Sequence, residues 1–213
     1  MTPRGQRERR QRRPLPDGTQ LKWPGAEGKF ALFAEVLWMG VLTVVGGLLL
    51  ITLPAAVAAS TRHLHRYLLA ERSTVGQWWQ DYLSALRTGW IVGVGAVALA
   101  AVLLFNLLLA GTQVLPGWQA VFAVGLFGLA ALAVTLLQSA VRWSLEKGWR
   151  QAVRDGVQAF VSDAGAILPL LVALALTVVV TWQLPPLIVP GMGCLVFAVL
   201  VVKERERKNV TRR

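Results

Sequence analysis

The chain has 213 residues, of which 55% are hydrophobic and only 15% charged, whereas roughly a quarter of the residues in a soluble globular domain carry a charge. No Asp, Glu, Lys or Arg occurs in residues 36–61, 88–141 or 164–202, and each run is longer than the roughly 20 residues that one transmembrane helix needs. The composition excludes a soluble domain and predicts an all-α fold, a polytopic integral membrane helical bundle.

The net charge of +11 comes from basic clusters that flank the apolar runs. Lys and Arg next to transmembrane segments are attracted to anionic headgroups and favour the cytoplasmic side of the membrane. We therefore expect the lipid bilayer with its anionic headgroups to be the partner of these clusters, and we expect no binding of nucleic acid.

The N-terminal residues 1–29 are rich in Arg, Pro and Gly and contain almost nothing apolar to bury, which predicts a disordered tail. The first apolar segment, residues 30–53, is predicted to be a span that ends at Pro54. The following Ala56-Val57-Ala58 resembles a signal-peptidase site. Cleavage there would place the basic C-terminal half of the chain outside the cell, so we predict an uncleaved chain.

The two later apolar runs are too long for one crossing each. The run from residue 88 breaks at GTQVLPGW and the run from residue 164 breaks at QLPP, where Pro and Gly mark turns. Each run therefore divides into two spans. The five predicted spans are residues 30–53, 90–110, 118–141, 164–182 and 187–202. Residues 203–213 are predicted to form a basic cytoplasmic tail.

Three linkers have the pattern of amphipathic helices in the membrane interface: residues 55–72, 74–89 and 146–163. The first is predicted to be a surface helix that carries its basic residues on one side. These are Arg62, His65, Arg66 and Arg72.

The second linker begins with a capping box of Thr74 and Gln77. Its helical periodicity places Trp79 on an apolar face and directs Asp81 and Arg87 toward the cytosol. In the third linker, Arg150 and Arg154 share the polar face, and Trp149 belongs to the opposite face. Both helices lead directly into a predicted span.

The distribution of Lys and Arg predicts the orientation. Their number is four in residues 62–87, zero in 111–117, four in 142–154, zero in 183–190 and six after residue 202. This alternation predicts that the linkers and the C-terminus are cytoplasmic. The first segment then either crosses the membrane and leaves the arginine-rich tail outside, or re-enters and keeps that tail inside. The crossing is the preferred interpretation.

Catalytic, cofactor-binding and metal-binding residues are not predicted. His63 and His65 are two residues apart, so on a helix they point in different directions, whereas helical metal pairs are four apart. Ionisable residues at or near a membrane are candidates for function, and large aromatic residues mark the interface. The candidate functional or interfacial residues are Glu35, Arg62, Arg66, Trp79, Asp81, Arg87, Trp149 and Arg154.

The stretches LPAAVAASTRHLHRYLLAERSTVGQWWQDYLSALRTGW and WRQAVRDGVQAFVSDAGAILPLL resemble the YesL-like family of bacterial membrane proteins, a domain of unknown function. The resemblance covers residues 30–202 and implies the bacterial inner membrane and a carbohydrate-uptake context. We expect a non-enzymatic accessory protein without a cofactor, in a transport complex or a homo-oligomer. A small oligomeric transporter and a structural or lipid-organising protein are the alternatives.

Overall fold

The computed structural model describes residues 29–113, 117–162 and 164–211, and over these ranges the chain is helical and contains no β-strand. The predicted all-α fold is confirmed. Two 3₁₀ turns, Leu50–Thr52 and Pro185–Leu187, lie between longer helices. The α-helices are α1 (Lys29–Gly46), α2 (Leu53–Leu68), α3 (Val75–Gly111), α4 (Trp118–Arg142), α5 (Gly148–Ser162), α6 (Ala164–Gln183) and α7 (Ile188–Thr211). The predicted disordered tail comprises residues 1–29, and residues 1–28 of it lie outside the described residues.

In the described part of the chain, three helices are long and apolar enough to cross a membrane: α3, α4 and the segment Pro185–Arg207, which contains most of α7. A fourth crossing exists if α5 and the Ile167–Gln183 part of α6, which are bent by 105°, act together as one broken span. The structure therefore has fewer span-length helices than the five predicted, although helices are present at all five predicted positions.

The first predicted span, residues 30–53, does not form one continuous helix. Its apolar helix runs only from Phe30 to Gly46, because Gly46 and Gly47 interrupt the helix and the chain then reverses direction. Thr43 of α1 contacts Ser60 of α2, and Glu35 contacts His63, so α1 and α2 form an antiparallel hairpin. The two outer ends of this hairpin lie on the same side of the bundle.

The tip of the hairpin satisfies the carbonyl groups that the end of α1 leaves without intrahelical partners. The hydroxyl of Thr52 donates to the Gly46 carbonyl oxygen at 2.6 Å, and the hydroxyl of Tyr82 donates to the same oxygen at 2.9 Å. An unpaired carbonyl would be costly away from water. These bonds allow α1 to end inside an apolar bundle.

The prediction that residues 55–72 form a surface helix is wrong. Most of α2 is buried among α1, α3, α4 and α7. Its first turns contain four buried alanines, Ala55, Ala56, Ala58 and Ala59, and such small residues let neighbouring helices approach closely. The Ser60 hydroxyl accepts a hydrogen bond from the Trp78 indole at 3.0 Å. Three of the four basic residues that suggested a headgroup-facing surface, Arg62, His65 and Arg66, are paired with other helices, as described below.

The second linker and the following span form one helix of 37 residues, α3. The predicted capping box at its start is confirmed, since the Gln77 amide donates to the Thr74 hydroxyl and the Thr74 amide donates to the Gln77 side chain. At the other end of the chain, α7 continues to Thr211. Residues 203–211 of the predicted C-terminal tail are therefore helical.

The first and last helices pack closely through glycines. A Cβ atom on Gly40 would lie 2.1 Å from the Val189 carbonyl oxygen, and one on Gly193 would lie 2.2 Å from the Val36 carbonyl oxygen. Such distances leave no room for any side chain, which is how glycine permits close packing of membrane helices. The pairings also show that α1 and α7 are antiparallel.

Candidate functional site

Two arginines of α2 share one carboxylate of α3. Arg66 forms a hydrogen-bonded ion pair with Asp81, and the Nε atom of Arg62 lies 3.5 Å from the Oδ1 atom of Asp81. Asp81 is only 6% exposed, so its charge is compensated mainly by these guanidinium groups rather than by water. The contacts hold the C-terminal half of α2 against the first turns of α3.

A histidine–carboxylate contact joins the two helices of the hairpin. His63 is 2% exposed, and its Nε2 atom lies 2.7 Å from the Oε1 atom of Glu35 on α1. The Nδ1 atom of this ring is buried and has no hydrogen-bond partner within the described ranges. The contact fixes the open end of the hairpin, opposite its tip.

The C-terminal part of α7 supplies two further carboxylates. Glu206 accepts from Arg142 of α4, which also donates to the side chain of Gln138 one turn earlier. The Glu204 carboxylate lies 3.8 Å from the Nε2 atom of His65 and 3.5 Å from Arg207. These contacts join α7 to both α2 and α4 at the end of the bundle where Asp81 lies.

His65 is half-buried between charged neighbours. Burial lowers its pKa below the ordinary value of 6.5, and the carboxylate of Glu204 opposes this effect. The cations Lys203 and Arg207 lower the pKa further, and the more weakly acting Glu71 raises it. The net direction is downward, so folding favours the neutral imidazole at this position.

Lys203 and a second contact of Arg62 reach α4 and the residue after it. The Nζ atom of Lys203 donates to the Val141 carbonyl oxygen at 2.8 Å, where the last turn of α4 leaves carbonyls without intrahelical partners. The guanidinium carbon of Arg62 lies 5.4 Å from the ring centroid of Trp143, within the distance of a cation–π contact. Both contacts strengthen the same end of the bundle.

We refer to these interacting groups as the ionic cluster. Its carboxylates are each engaged by a basic side chain from another helix, so the arrangement fastens five helices together. Within the described ranges, no group of three or more His, Cys, Asp or Glu side chains is arranged to hold a metal ion. The ionic cluster consists of Glu35, Arg62, His63, His65, Arg66, Asp81, Arg142, Glu204 and Glu206.

Half of the candidate residues from the sequence belong to the ionic cluster, namely Glu35, Arg62, Arg66 and Asp81. The prediction that Asp81 faces the cytosol is wrong. The buried stripe of α3 contains Trp78, Asp81 and Tyr82, because the arginines of α2 approach α3 from this side. Asp81 thus shares a face with large aromatic residues, although an unpaired carboxylate would favour water.

The other four candidates lie outside the ionic cluster. Trp149 of α5 is buried, and its indole nitrogen donates to the Ala85 carbonyl oxygen at 2.8 Å. Trp79, Arg87 and Arg154 are exposed on the outside of the bundle. Trp149 therefore anchors α5, whereas the remaining three are not buried in the bundle.

Five members of the ionic cluster were not among the candidates: His63, His65, Arg142, Glu204 and Glu206. A signal for the two glutamates exists in the stretch KERER, where acidic and basic residues alternate directly after an apolar run. Carboxylates next to a span are rarely left without a cation. For the histidines, only their position near the end of an apolar segment was informative.

The third linker forms a helix that is buried on one side only. In α5, Trp149, Ala152 and Gly156 are buried, and Gly156 packs directly on Ser139 of α4. The opposite side of the helix is exposed and carries polar residues together with the valines Val157 and Val161, which are 46% and 78% exposed. One internal bond there joins the Gln151 side chain to the Asp155 carboxylate at 2.7 Å. The exposed polar residues are Arg150, Gln151, Arg154, Gln158 and Ser162.

A cavity of about 400 Å³ lies among the helices beyond the tip of the α1–α2 hairpin. Of the residues that the structure describes, those that line it are all Leu, Val, Ala, Met or Pro. Leu50 and Pro54 line it from the hairpin tip, Ala100 from α3, and Leu132 from α4. None of these described side chains is polar, so none could orient an ion or a polar substrate.

Comparison with protein families, with curated proteins and with solved structures finds no match to this chain.

Proposed function

We propose that the chain is a non-enzymatic, multi-pass protein of the bacterial inner membrane that serves as an accessory component of carbohydrate uptake. The uptake context comes from the resemblance to the YesL-like family. The observation that carries the non-transporting role is the separation of polar and apolar groups. The ionic cluster is paired within itself at one end of the bundle, whereas the deeper cavity has an entirely apolar wall.

A transporter of a polar solute needs polar groups along a route between the two sides of the membrane. In the described half of the bundle away from the ionic cluster, Asn106 donates to the Val102 carbonyl of its own helix, and Thr177 donates to Ala173. Both side chains thus bond to a carbonyl oxygen of their own helix, and Thr177 also lies 3.4 Å from the Gly191 carbonyl oxygen of α7. They do not converge on a common path. This favours the accessory role over the alternative of a small oligomeric transporter.

The hairpin supports a re-entrant first segment. Glu35 near the start of α1 and His63 near the end of α2 are in contact, so the chain enters and leaves this hairpin on one side. A re-entrant hairpin keeps the arginine-rich tail on the side of the basic linkers, as the positive-inside rule favours. We therefore propose that the N-terminus and the C-terminus are both cytoplasmic, which replaces the crossing that the sequence favoured.

The exposed polar side of α5 is the proposed docking surface for the transport complex. Its opposite side is fixed by Trp149 and Gly156 against α3 and α4, so the exposed basic residues are held on a rigid support. Arg150 and Arg154 are one turn apart and both exposed. Rigid presentation of cations suits an acidic surface on a partner.

The test is copurification from native membranes of the source bacterium. The chain should copurify with the membrane subunits of a sugar-uptake permease, and a double Arg150→Glu, Arg154→Glu variant should lose them at unchanged abundance. Arg72→Glu, at an exposed position outside α5, is the matched control and should retain them. Recovery of the chain without permease subunits would reject the accessory role, and sugar uptake by liposomes containing this chain alone would establish the transporter instead.

A further inference from the structure

The apolar cavity exists because the α1–α2 hairpin is shorter than its neighbours. At its tip, the carbonyl oxygen of Ile51 lies 1.9 Å from where a Cβ atom of Gly93 would be. From Gly93, α3 continues for 18 residues to Gly111, which is about 27 Å at the 1.5 Å rise of an α-helix. The hairpin therefore fills only one end of the space between the longer helices.

Beyond the tip, the long helices form two separate antiparallel pairs. Gly125 of α4 packs on Leu107 of α3, and Gly191 of α7 packs on Thr177 of α6. The cavity lies between these pairs, where Leu132 of the first pair and Leu174 of the second both line it. The gap is thus built into the fold and is not a packing defect within either pair.

The chemistry of the wall restricts the occupant. A dry, wholly apolar cavity is unfavourable for water and binds apolar molecules, and the volume of about 400 Å³ falls in the usual range for ligand sites of roughly 300–1,000 Å³. Leu50 and Leu104 line the cavity, yet they are 67% and 51% exposed. The cavity therefore opens to the surroundings of the bundle, which in a membrane are hydrocarbon.

The size of the cavity excludes a partner helix. A helix 10–12 Å across occupies about 120–170 Å³ for each 1.5 Å of rise. At that size, about 400 Å³ would hold about three helical residues. A hydrocarbon chain is slimmer than a helix and flexible, so it suits a space of this volume. A free fatty acid would bring its carboxylate to a wall whose described side chains are all apolar, whereas a phospholipid keeps its headgroup at the membrane surface.

We infer that this cavity is a binding site for one acyl chain of a membrane phospholipid, which enters from the bilayer between the α3–α4 and α6–α7 pairs. The inference rests on the proposed membrane location but not on the accessory role. The acyl chain completes the apolar packing beyond the hairpin tip, and a bulky side chain in the cavity should replace it.

The experiment measures lipid retained by the full-length protein, purified from membranes in mild detergent and analysed by native mass spectrometry. Ala100→Phe points a ring into the cavity, and Ala98→Phe on the same helix points one to the exterior, because Ala98 is exposed and does not line the cavity. Wild type and Ala98→Phe should retain one phospholipid through purification in mild detergent. Ala100→Phe should lose at least 90% of it.

A second readout covers the case in which Ala100→Phe folds poorly. The melting temperature of delipidated wild type should rise when phosphatidylglycerol is added, and the rise should be absent in Leu132→Trp, which fills the cavity from α4. Equal lipid retention and equal melting shifts in all variants would show adventitious lipid only and would overturn the site. A chain absent from the membrane fraction would instead reject the proposed function itself.

Discussion

The indole ring of Trp149 on α5 occupies the space above Gly89 on α3. A Cβ atom at Gly89 would lie 2.2 Å from the indole nitrogen and 2.5 Å from the adjacent ring carbon. The same nitrogen donates to the Ala85 carbonyl oxygen one turn away. Because Gly89 has no side chain, α3 leaves the space that the Trp149 ring of α5 fills.

Gly89→Ala should lower stability by about 1–3 kcal/mol, the usual cost of overpacking, because the ring must leave its seat and lose its hydrogen bond. Gly95→Ala is the matched control on the same helix, since nothing lies within 4 Å of its Cβ position. Alanine is favoured over glycine in a helix by about 1 kcal/mol, so this control should be neutral or stabilised. Thermal unfolding in detergent would reveal the contrast, and equal melting temperatures would contradict it.

Asp81→Asn should destabilise the protein by about 3 kcal/mol, the lower end for removing one partner of a buried ion pair. Arg62 and Arg66 would lose the carboxylate that they share, although their own partial exposure moderates the loss.

Asp155→Asn is the control for that substitution, because Asp155 lies on α5 and has Gln151 as a neutral partner. Its expected effect is below about 0.5 kcal/mol, as for most surface substitutions. Denaturation of both variants in mixed micelles measures the difference. Similar losses would mean that Asp81 does not depend on its arginines.

Protonation of His65 should make stability depend on pH. Its pKa is lowered in the folded protein, so the unfolded chain takes up a proton at higher pH than the folded chain does. The stability contributed at this site is present above about pH 6.5, the unfolded value, and is lost as the pH falls through the lower, folded value.

The melting temperature of the wild type should therefore fall more steeply below pH 6.5 than that of His65→Asn, measured between pH 8 and pH 5. The charged neighbours Glu71, Lys203, Glu204 and Arg207 are present in both proteins, so the difference between the two curves isolates the imidazole. Parallel curves would show that His65 has the same pKa in the folded and unfolded chains.

The two termini should lie on the same side of the membrane. A reporter that is active only in the cytoplasm should be active when fused before Met1, after Arg213 or at Glu146, and inactive when inserted at Gly117. The basic clusters and the α1–α2 hairpin both support this outcome. Reporter activity at Gly117 would show that the bundle has the opposite orientation in the membrane. Loss of activity only for the fusion before Met1 would show that the first segment crosses the membrane once.

The helix boundaries could be predicted largely from local signals. Pro54 lies in the first turn of α2, Thr74 caps α3, and Trp118 begins α4 after Gly117, which adopts a positive φ of 78°. These signals depend on the conformational preferences of single residues and on hydrogen bonds within one turn. These helix boundaries can therefore be predicted without knowledge of the tertiary structure.

The ionic cluster could be predicted only in part, because its partners are distant in sequence. Glu35 and His63 are 28 residues apart, and Arg142 and Glu206 are 64 apart. An amphipathic helix with basic residues suits both a headgroup layer and a bundle that supplies carboxylates. Arg62 and Arg66 of α2 fit a headgroup-facing helix and a buried, paired helix equally well. Only the position of Asp81 in the structure shows that they are paired.

The direct contact of α1 with α7 constrains how the bundle is made. The first helix leaves the ribosome long before Val189 and Gly193 exist, and contacts between such distant parts of a chain form late. During synthesis, the glycine face of α1 must remain in lipid or be held by an insertion factor until the final helix arrives. A chain that ends before residue 188 would lack α7, so the glycine face of its α1 would have no helix to pack against. We expect such a chain to be degraded by membrane quality control.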